Sequence, residues 1–167
     1  MIITLDTGIL VRATSRCQGP ARRLLQRIAQ DQSHVLALSP YILGEVGKVL
    51  AYSKLQRALG ISAEEIHDHV AYLREIARLV EVETGPPVVL SDPKDDAVLY
   101  TAIGAGADVL CVRDRHFYDG NVLSFCHRFG VEVMDENPAS CPPCGPMNDA
   151  DACVCQAGAV WQMLTDH

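Results

Sequence analysis

The sequence predicts one α/β domain in which helices flank both faces of a parallel sheet. Three observations support this fold class: short β-branched apolar runs recur along the chain, amphipathic or apolar helical stretches separate them, and capping signals mark several helix starts. The chain has 167 residues, which suits one domain of ordinary size with a core large enough to fold. No internal repeat is visible.

The first half of the chain predicts two strands and three helices. MIITL is a buried strand, and GPARRLLQRIAQ is a helix whose inward residues are Leu24, Leu25 and Ile28. HVLAL is the next strand, after which Ser39 as N-cap and Pro40 at the first helical position begin the helix YILGEVGKVLAY. SAEE is a capping box that begins the third helix. We predict that its apolar face consists of Ile66, Val70, Leu73, Ala77 and Val80.

The second half continues the alternation. LVEVE predicts a strand, DDAVLYTAIGAG a buried helix closed by glycine, DVLCV a strand, NVLSFCHRF a helix and VEVM the last strand. Composition changes at about Asp135, because residues 136–167 combine proline, glycine, cysteine and acids without steady periodicity. The prediction is therefore a domain over 1–135 followed by a cysteine- and proline-rich tail over 136–167.

Charge and cysteine content narrow the class of protein. The net charge of −7 argues against a broad basic surface for nucleic acid. We expect a cytoplasmic protein, since no apolar run approaches the ~18 residues of a membrane span and the start lacks a basic n-region. An odd count of seven cysteines predicts reduced thiols. Four cysteines lie in the tail: Cys141, Cys144, Cys153 and Cys155. They could bind zinc or be free thiols, and we favour free thiols.

Carboxylates follow the strands at the edge where parallel strands end. Asp6 comes directly after the first strand and Asp114 directly after DVLCV. Asp95 and Asp96 open the helix that must begin at the same edge, and Glu45 lies on an otherwise apolar stripe of the helix after the second strand. Ligands of parallel α/β sheets gather at this edge, so the acids are expected to converge there.

A divalent cation would compensate such a cluster. Partly buried carboxylates repel one another, and oxygen-only ligands suit Mg²⁺ or Mn²⁺ but not Zn²⁺. Single members have simpler roles open to them: Asp6 as a helix cap, Asp95 or Asp96 as a helix-dipole acid, and Asp92 as a turn residue. Glu45 is the hardest to explain without a partner, because it shares a face with apolar residues.

The stretches ITLDTGILV, LSPYILGEVGKVL, SDPKDDAVLYTAIGAGADVLCVRDRHF and GVEVMD resemble the PIN-domain ribonucleases, including the VapC-type toxins of bacterial toxin–antitoxin pairs. The resemblance covers about residues 1–135 and implies a three-layer, Rossmann-like fold. The catalytic and metal-binding acids it implies are Asp6, Glu45, Asp95 and Asp114, with Asp96 as an additional metal ligand. The chain departs from the family pattern at Gly8, where asparagine is common, and at Arg113, which replaces the glycine of a T-G-D motif.

The function that this resemblance implies is a Mg²⁺- or Mn²⁺-dependent endoribonuclease acting on single-stranded RNA. It also implies the toxin role of a type II toxin–antitoxin system, a cognate antitoxin and a homodimer. The alternative is a PIN fold that has lost catalysis and serves as an RNA- or protein-binding module, against which the full set of acids argues. Three histidines are assigned simpler roles: His67 and His69 are predicted to be solvated, and a surface role is favoured for His116.

Overall fold

Five parallel strands form the centre of the computed structural model, which describes residues 1–83 and 85–135. The strands are β1 (Ile2–Leu5), β2 (Val35–Leu38), β3 (Ala77–Leu79), β4 (Val109–Cys111) and β5 (Glu132–Met134). The helices are α1 (Thr7–Arg12), α2 (Pro20–Gln30), α3 (Pro40–Leu50), α4 (Ser53–Leu59), α5 (Ala63–Ile76), α6 (Asp96–Ala105) and α7 (Gly120–Arg128), with a 3-10 turn over Arg115–Tyr118. The predicted α/β class is confirmed. The predicted tail and its four cysteines lie outside the described residues.

The strand order is β3-β2-β1-β4-β5, so β1 lies at the centre and the chain reverses its direction of winding there. β1 pairs with β2 through Ile3↔Leu36 and with β4 through Leu5↔Cys111. The backbone N–H of Asp6 donates to the carbonyl of Cys111 at 2.9 Å, which ties the carboxyl ends of β1 and β4 together. The two loops that leave these strands therefore diverge from one point, where α/β sheets commonly bind ligands.

The predicted capping signals are confirmed. Ser39 Oγ accepts from the N–H of Ile42 at 3.4 Å at the start of α3. Ser62 and Glu65 form both halves of the capping box of α5, at 3.1 and 2.8 Å. Gly106 ends α6 in the left-handed conformation, with φ of 60°, which glycine adopts without a steric penalty.

Two predictions about the middle of the chain are wrong. The sequence predicts a helical face that continues to Ala77 and Val80. In the structure α5 ends at Ile76, and the backbone of Ala77 has a β conformation. The next strand therefore occupies Ala77–Leu79 and not 79–83, because its backbone pairs with β2 through Leu36↔Ala77 and Leu38↔Leu79. Pairing along a sheet edge overrode a helical pattern that continued for one more turn.

The prediction of solvated histidines is right for His67 and wrong for His69. The His67 side chain is 85% exposed, whereas His69 is only 9% exposed and its Nε2 lies 3.0 Å from the carbonyl oxygen of Leu10. Position 69 shares one helix face with the buried residues Ile66 and Leu73, so its spacing already indicated burial. None of the helices in the described part of the chain is long and apolar enough to cross a membrane.

Candidate metal centre

Asp6 is held at the junction of β1 and α1. Burial raises the pKa of its carboxyl, and the negative charge of Asp114 raises it further. The backbone N–H groups of Gly8 and Thr7 and the guanidinium of Arg12 act in the opposite direction without cancelling these effects. A Cβ atom at Gly8 would lie 3.2 Å from Asp6 Oδ2, so glycine leaves this carboxylate uncrowded. The departure from asparagine at this position therefore opens space next to Asp6.

Asp114 and His116 are positioned by the 3-10 turn that follows β4. Asp114 Oδ1 accepts from the backbone N–H of His116 at 3.0 Å, and the imidazole Nδ1 lies 3.4 Å from the same oxygen. Phe117 is fully buried in the core and anchors the turn. The Tyr118 hydroxyl donates to the carbonyl of Val112 at 3.3 Å and fixes its far end. His116, for which a surface role was favoured, thus lies directly beside a predicted site residue.

The three acids of SDPKDDAVL occupy three different environments. Asp92 accepts from the N–H of Lys94 at 3.1 Å and is a turn residue, as predicted. Asp96 accepts from the N–H groups of Val89 and Val88, at 2.8 and 3.1 Å, so it fixes the segment that precedes α6. Asp95 stands at the N-cap of α6, and among the described residues its carboxylate accepts no capping hydrogen bond. Asp95 is therefore the member of this run available for chemistry.

The start of α6 is fixed against the start of α3 by two buried hydroxyl groups. Thr101 Oγ1 lies 2.9 Å from Ser39 Oγ and donates to the carbonyl of Ala97 at 2.6 Å. Both residues are almost completely buried. This contact ties the N-cap of α3 to the second turn of α6, and so helps to place Asp95 at the N-cap of α6.

The structure brings the ends of these segments together. Asp95, Asp114 and His116 each offer a donor atom, and these atoms all lie within 4.8 Å of one another. Burial raises the pKa of Asp95 to about 7, and the charges of Asp6, Asp92 and Asp114 contribute, with His116 acting in the opposite direction. Two carboxylates and an imidazole at this separation fit a divalent cation, and a third carboxylate adjoins them.

Glu45 has a partner that the sequence prediction overlooked. Lys48 Nζ lies 2.7 Å from Glu45 Oε1, a pairing expected for residues three apart on a helix. Within the part of the chain that the structure describes, Glu45 is not among the side chains that converge at the cluster. The structure therefore gathers Asp6, Asp95 and Asp114, while Glu45 and Asp96 are bonded elsewhere. The ligand roles of all five acids remain predictions.

Residues 3–116 match the family model of the PIN domain. Because this match spans more than half of the chain, the chain belongs to the PIN-domain family. The matched segment contains every predicted site residue and ends at His116. The predicted resemblance and fold are confirmed.

Among solved structures, the chain is similar to one from the crystal structure of VapBC2 from Rickettsia felis bound to a DNA fragment from their promoter. The TM-score is 0.51, and the alignment covers 81% of this chain and 100% of that chain with 16% sequence identity. An identity this low shows a common fold and nothing more. None of the curated proteins compared with the chain matches it significantly.

Proposed function

We propose that the chain is a Mg²⁺- or Mn²⁺-dependent endoribonuclease that hydrolyses phosphodiester bonds in single-stranded RNA. The observation on which this rests is the convergence of Asp95, Asp114 and His116, with Asp6 adjoining, where the loops after β1 and β4 diverge. Membership of the PIN-domain family supports it independently. The site opens to solvent, since Asp114 is exposed, so a phosphate of an unpaired strand has access to it.

Each residue has a role in this proposal. Asp95 and Asp114 would hold the cation, His116 would be a further ligand, and Asp6 would complete the negative site. A bound cation would lower the pKa of a water molecule and stabilise negative charge on the phosphate oxygens. The backbone N–H of His116 donates to Asp114 Oδ1 and so fixes this carboxylate, which would then need little reorganisation when substrate binds.

Glu45 and Asp96 are assigned different parts. Glu45 would be a ligand or would orient the attacking water once its carboxylate leaves Lys48, a surface ion pair of modest strength. Asp96 could become a ligand only if it lost the hydrogen bonds that it accepts from the N–H groups of Val88 and Val89. We therefore assign it the task of fixing the start of α6.

The same proposal extends to partners. We infer that the chain is the toxin of a type II toxin–antitoxin system with a cognate antitoxin, and that it acts as a homodimer. PIN-family membership and the likeness in fold to a VapBC2 chain support this inference. Co-expression with the product of the adjacent gene tests it: rescue of growth and a stable complex are expected, and toxicity that no neighbouring gene relieves would contradict it.

Replacement of Asp6 tests the enzymatic proposal. Asp6→Asn removes a charge from the cluster and should lower Mn²⁺-dependent cleavage of a generic single-stranded RNA by more than about 100-fold, since loss of an outer-shell partner alone costs about 10–100-fold. Asp68→Asn, at an exposed acid of α5, is the matched control and should keep full activity. Circular dichroism establishes that both variants are folded.

Two outcomes would contradict the assignment. Full activity of folded Asp6→Asn would remove this residue from the site. A wild-type chain that binds the RNA with Mn²⁺ and never cleaves it would favour the alternative, a binding module built on a PIN fold.

A further inference from the structure

Four residues form one line along α3 and its immediate continuation. They lie at successive spacings of four, three and four residues, which places them on one helix face, and we refer to them as the α3 stripe: Tyr41, Glu45, Lys48 and Tyr52. α3 ends at Leu50, but Ala51 keeps a right-handed helical conformation and so carries the line to Tyr52, where the backbone becomes extended at the N-cap of α4. Tyr41 is 42% exposed and Tyr52 62% exposed, which leaves both aromatic rings accessible.

One end of the α3 stripe adjoins the candidate metal centre. Burial raises the pKa of the Tyr41 phenol, and the charges of Glu45, Lys48, Asp92 and Asp95 all act on it. The geometry agrees, because Ser39 at the N-cap of α3 is hydrogen-bonded at 2.9 Å to Thr101 of α6, the helix whose N-cap is Asp95. Tyr41, in the first turn of α3, therefore lies near Asp95 and also near the Glu45–Lys48 ion pair. At the other end, Lys48 lies close enough to Tyr52 for the tyrosine to influence its pKa, which the hydrogen bond to Glu45 raises.

Two exposed aromatic rings flank the Glu45–Lys48 ion pair, so the lysine lies between two surfaces on which bases of an unpaired strand can stack. Bases stack on exposed aromatic side chains without regard to sequence, and a lysine contacts the backbone as a point charge. The line from Tyr41 to Tyr52 is about 16 Å long at the rise of an α-helix, enough for several nucleotides. Lysine is depleted at the centres of protein–protein interfaces, which argues against a second protein chain on this face.

We propose that the α3 stripe is the track along which single-stranded RNA leaves the metal centre, with a base stacked on Tyr41, a phosphate that displaces Glu45 from Lys48, and a further base on Tyr52. This inference rests on the proposed function and names the part of the surface that binds its substrate. Binding of the phosphate by Lys48 would release Glu45, whose carboxylate then becomes available next to the centre.

RNA binding by stripe variants tests the proposal, with Asp6→Asn as the parent chain so that the probe is not cut. The probe is a short fluorescent single-stranded oligoribonucleotide in Mg²⁺, paired with one of equal length that carries abasic sites. Tyr41→Ala should weaken binding between about 5-fold and about 150-fold. Tyr41→Phe keeps the ring and should stay within about 2-fold of the parent. Tyr72→Ala removes a tyrosine of α5 that is 41% exposed and should leave binding unchanged.

Two further measurements separate stacking from other causes. On the abasic probe the parent and Tyr41→Ala should bind alike, because no base is left to stack. Lys48→Gln should reduce the slope of log affinity against log salt by about one, as expected for one lost phosphate contact.

Three results would overturn the inference. Equal affinity of Tyr41→Ala and the parent for the base-bearing probe would exclude the track while leaving cleavage by the wild type, and hence the proposed function, untouched. A loss of binding that coincides with a lower mass in sedimentation would instead make the α3 stripe an interface between copies of the chain. If the wild type neither binds nor cleaves the probe, the proposed function fails and the track fails with it.

Discussion

The two ends of α1 adjoin two polar regions that differ in how their charged groups are paired. At its N-terminus lies the acidic cluster, in which the charges of Asp6 and Asp114 raise the pKa of Asp95 and the charge of Asp114 also raises the pKa of Asp6. Beyond its C-terminus lies a pocket of about 320 Å³ between α2 and α5, lined by residues that include Arg22, Glu65 and His69. We refer to it as the His69 pocket.

In the His69 pocket, polar groups find their partners within the chain. Arg16 Nη2 lies 2.6 Å from Glu65 Oε1, Arg22 donates to the carbonyl of Ala13 at 3.1 Å, and His69 bonds to Leu10. At the acidic cluster the neighbours of each carboxylate include other carboxylates. The difference indicates that the polar groups of the His69 pocket are paired with one another, whereas burial and neighbouring carboxylates raise the pKa of Asp95 in the cluster to about 7.

Replacement of Asp95 should have the largest effect on the acidic cluster. The pKa of Asp95 is about 7 in the folded chain, whereas its ordinary value is 3.8. Between these two values the folded chain keeps a proton that the unfolded chain has lost. Cation-free stability should therefore fall as pH rises from about 4 to about 7, and Asp95→Asn should remove that slope. Above pH ~7 the free energy of unfolding of Asp95→Asn should exceed that of the wild type by about 1–2 kcal/mol, a figure that allows for solvent screening. RNA cleavage by the variant should be more than about 100-fold slower than by the wild type.

Urea denaturation in a chelator on both sides of this pH window, followed by an RNA cleavage assay, measures both effects. Added Mn²⁺ should stabilise the wild type and leave Asp95→Asn nearly unchanged. Identical pH slopes in the two proteins would show that Asp95 ionises freely and that no cation is needed there.

Asp96 provides the contrast within the same acidic run. Asp96→Ala leaves the N–H groups of Val88 and Val89 without their acceptor and should cost about 1–3 kcal/mol of stability. Asp96→Asn keeps one acceptor oxygen and should recover part of that loss. Calorimetric titration with Mn²⁺ should give the wild-type affinity in both variants. Loss of cation binding in folded Asp96→Asn would instead make Asp96 a ligand, as the sequence predicted.

The sequence was sufficient to predict which edge of the sheet carries Asp6 and Asp114. Asp6 and Asp114 directly follow apolar strands, and the parallel topology that the alternation implies places both at the same edge. The hydrogen bonds that hold Asp96 could not be predicted, because they depend on where residues 88 and 89 pass, in a loop that shows no periodic pattern. The short helices α1 and α4 were also missed, since six or seven residues show too little periodicity.

Charge pairing limited the prediction of the site in a different way. Glu45 shares a helix face with apolar residues, and this pattern alone predicts a glutamate without a partner. Lys48, three positions further on, predicts the ion pair that the structure shows. The place of His116 was not readable, since it depends on the direction in which a 3-10 turn aims the ring. Geometry at loop ends is set by tertiary anchors such as Phe117, which no local spacing reveals.

The choice of cation sharpens the assignment of His116. An imidazole nitrogen suits transition metals better than Mg²⁺, which prefers oxygen. His116→Ala should therefore lower Mn²⁺-supported cleavage by about 10-fold and Mg²⁺-supported cleavage by less. His127→Ala, at an exposed histidine of α7, is the control and should change neither rate. Equal losses with both ions would show that the ring positions Asp114 and does not bind the cation.

The smallest expected effect concerns the His69 pocket. Burial lowers the pKa of His69 below 6.5, and the nearby charge of Arg22 acts in the same direction against the hydrogen bond to Leu10. Below pH ~6.5 the unfolded chain binds a proton that folded His69 does not accept, so stability should fall with acidification by up to ~1 kcal/mol per pH unit. His69→Gln should remove this part of the acid slope, whereas His67→Gln, at an 85% exposed position of the same helix, should retain it. Thermal unfolding across this range measures the slope, and unchanged acid sensitivity in His69→Gln would show that the pocket accepts a proton as readily as the unfolded chain does.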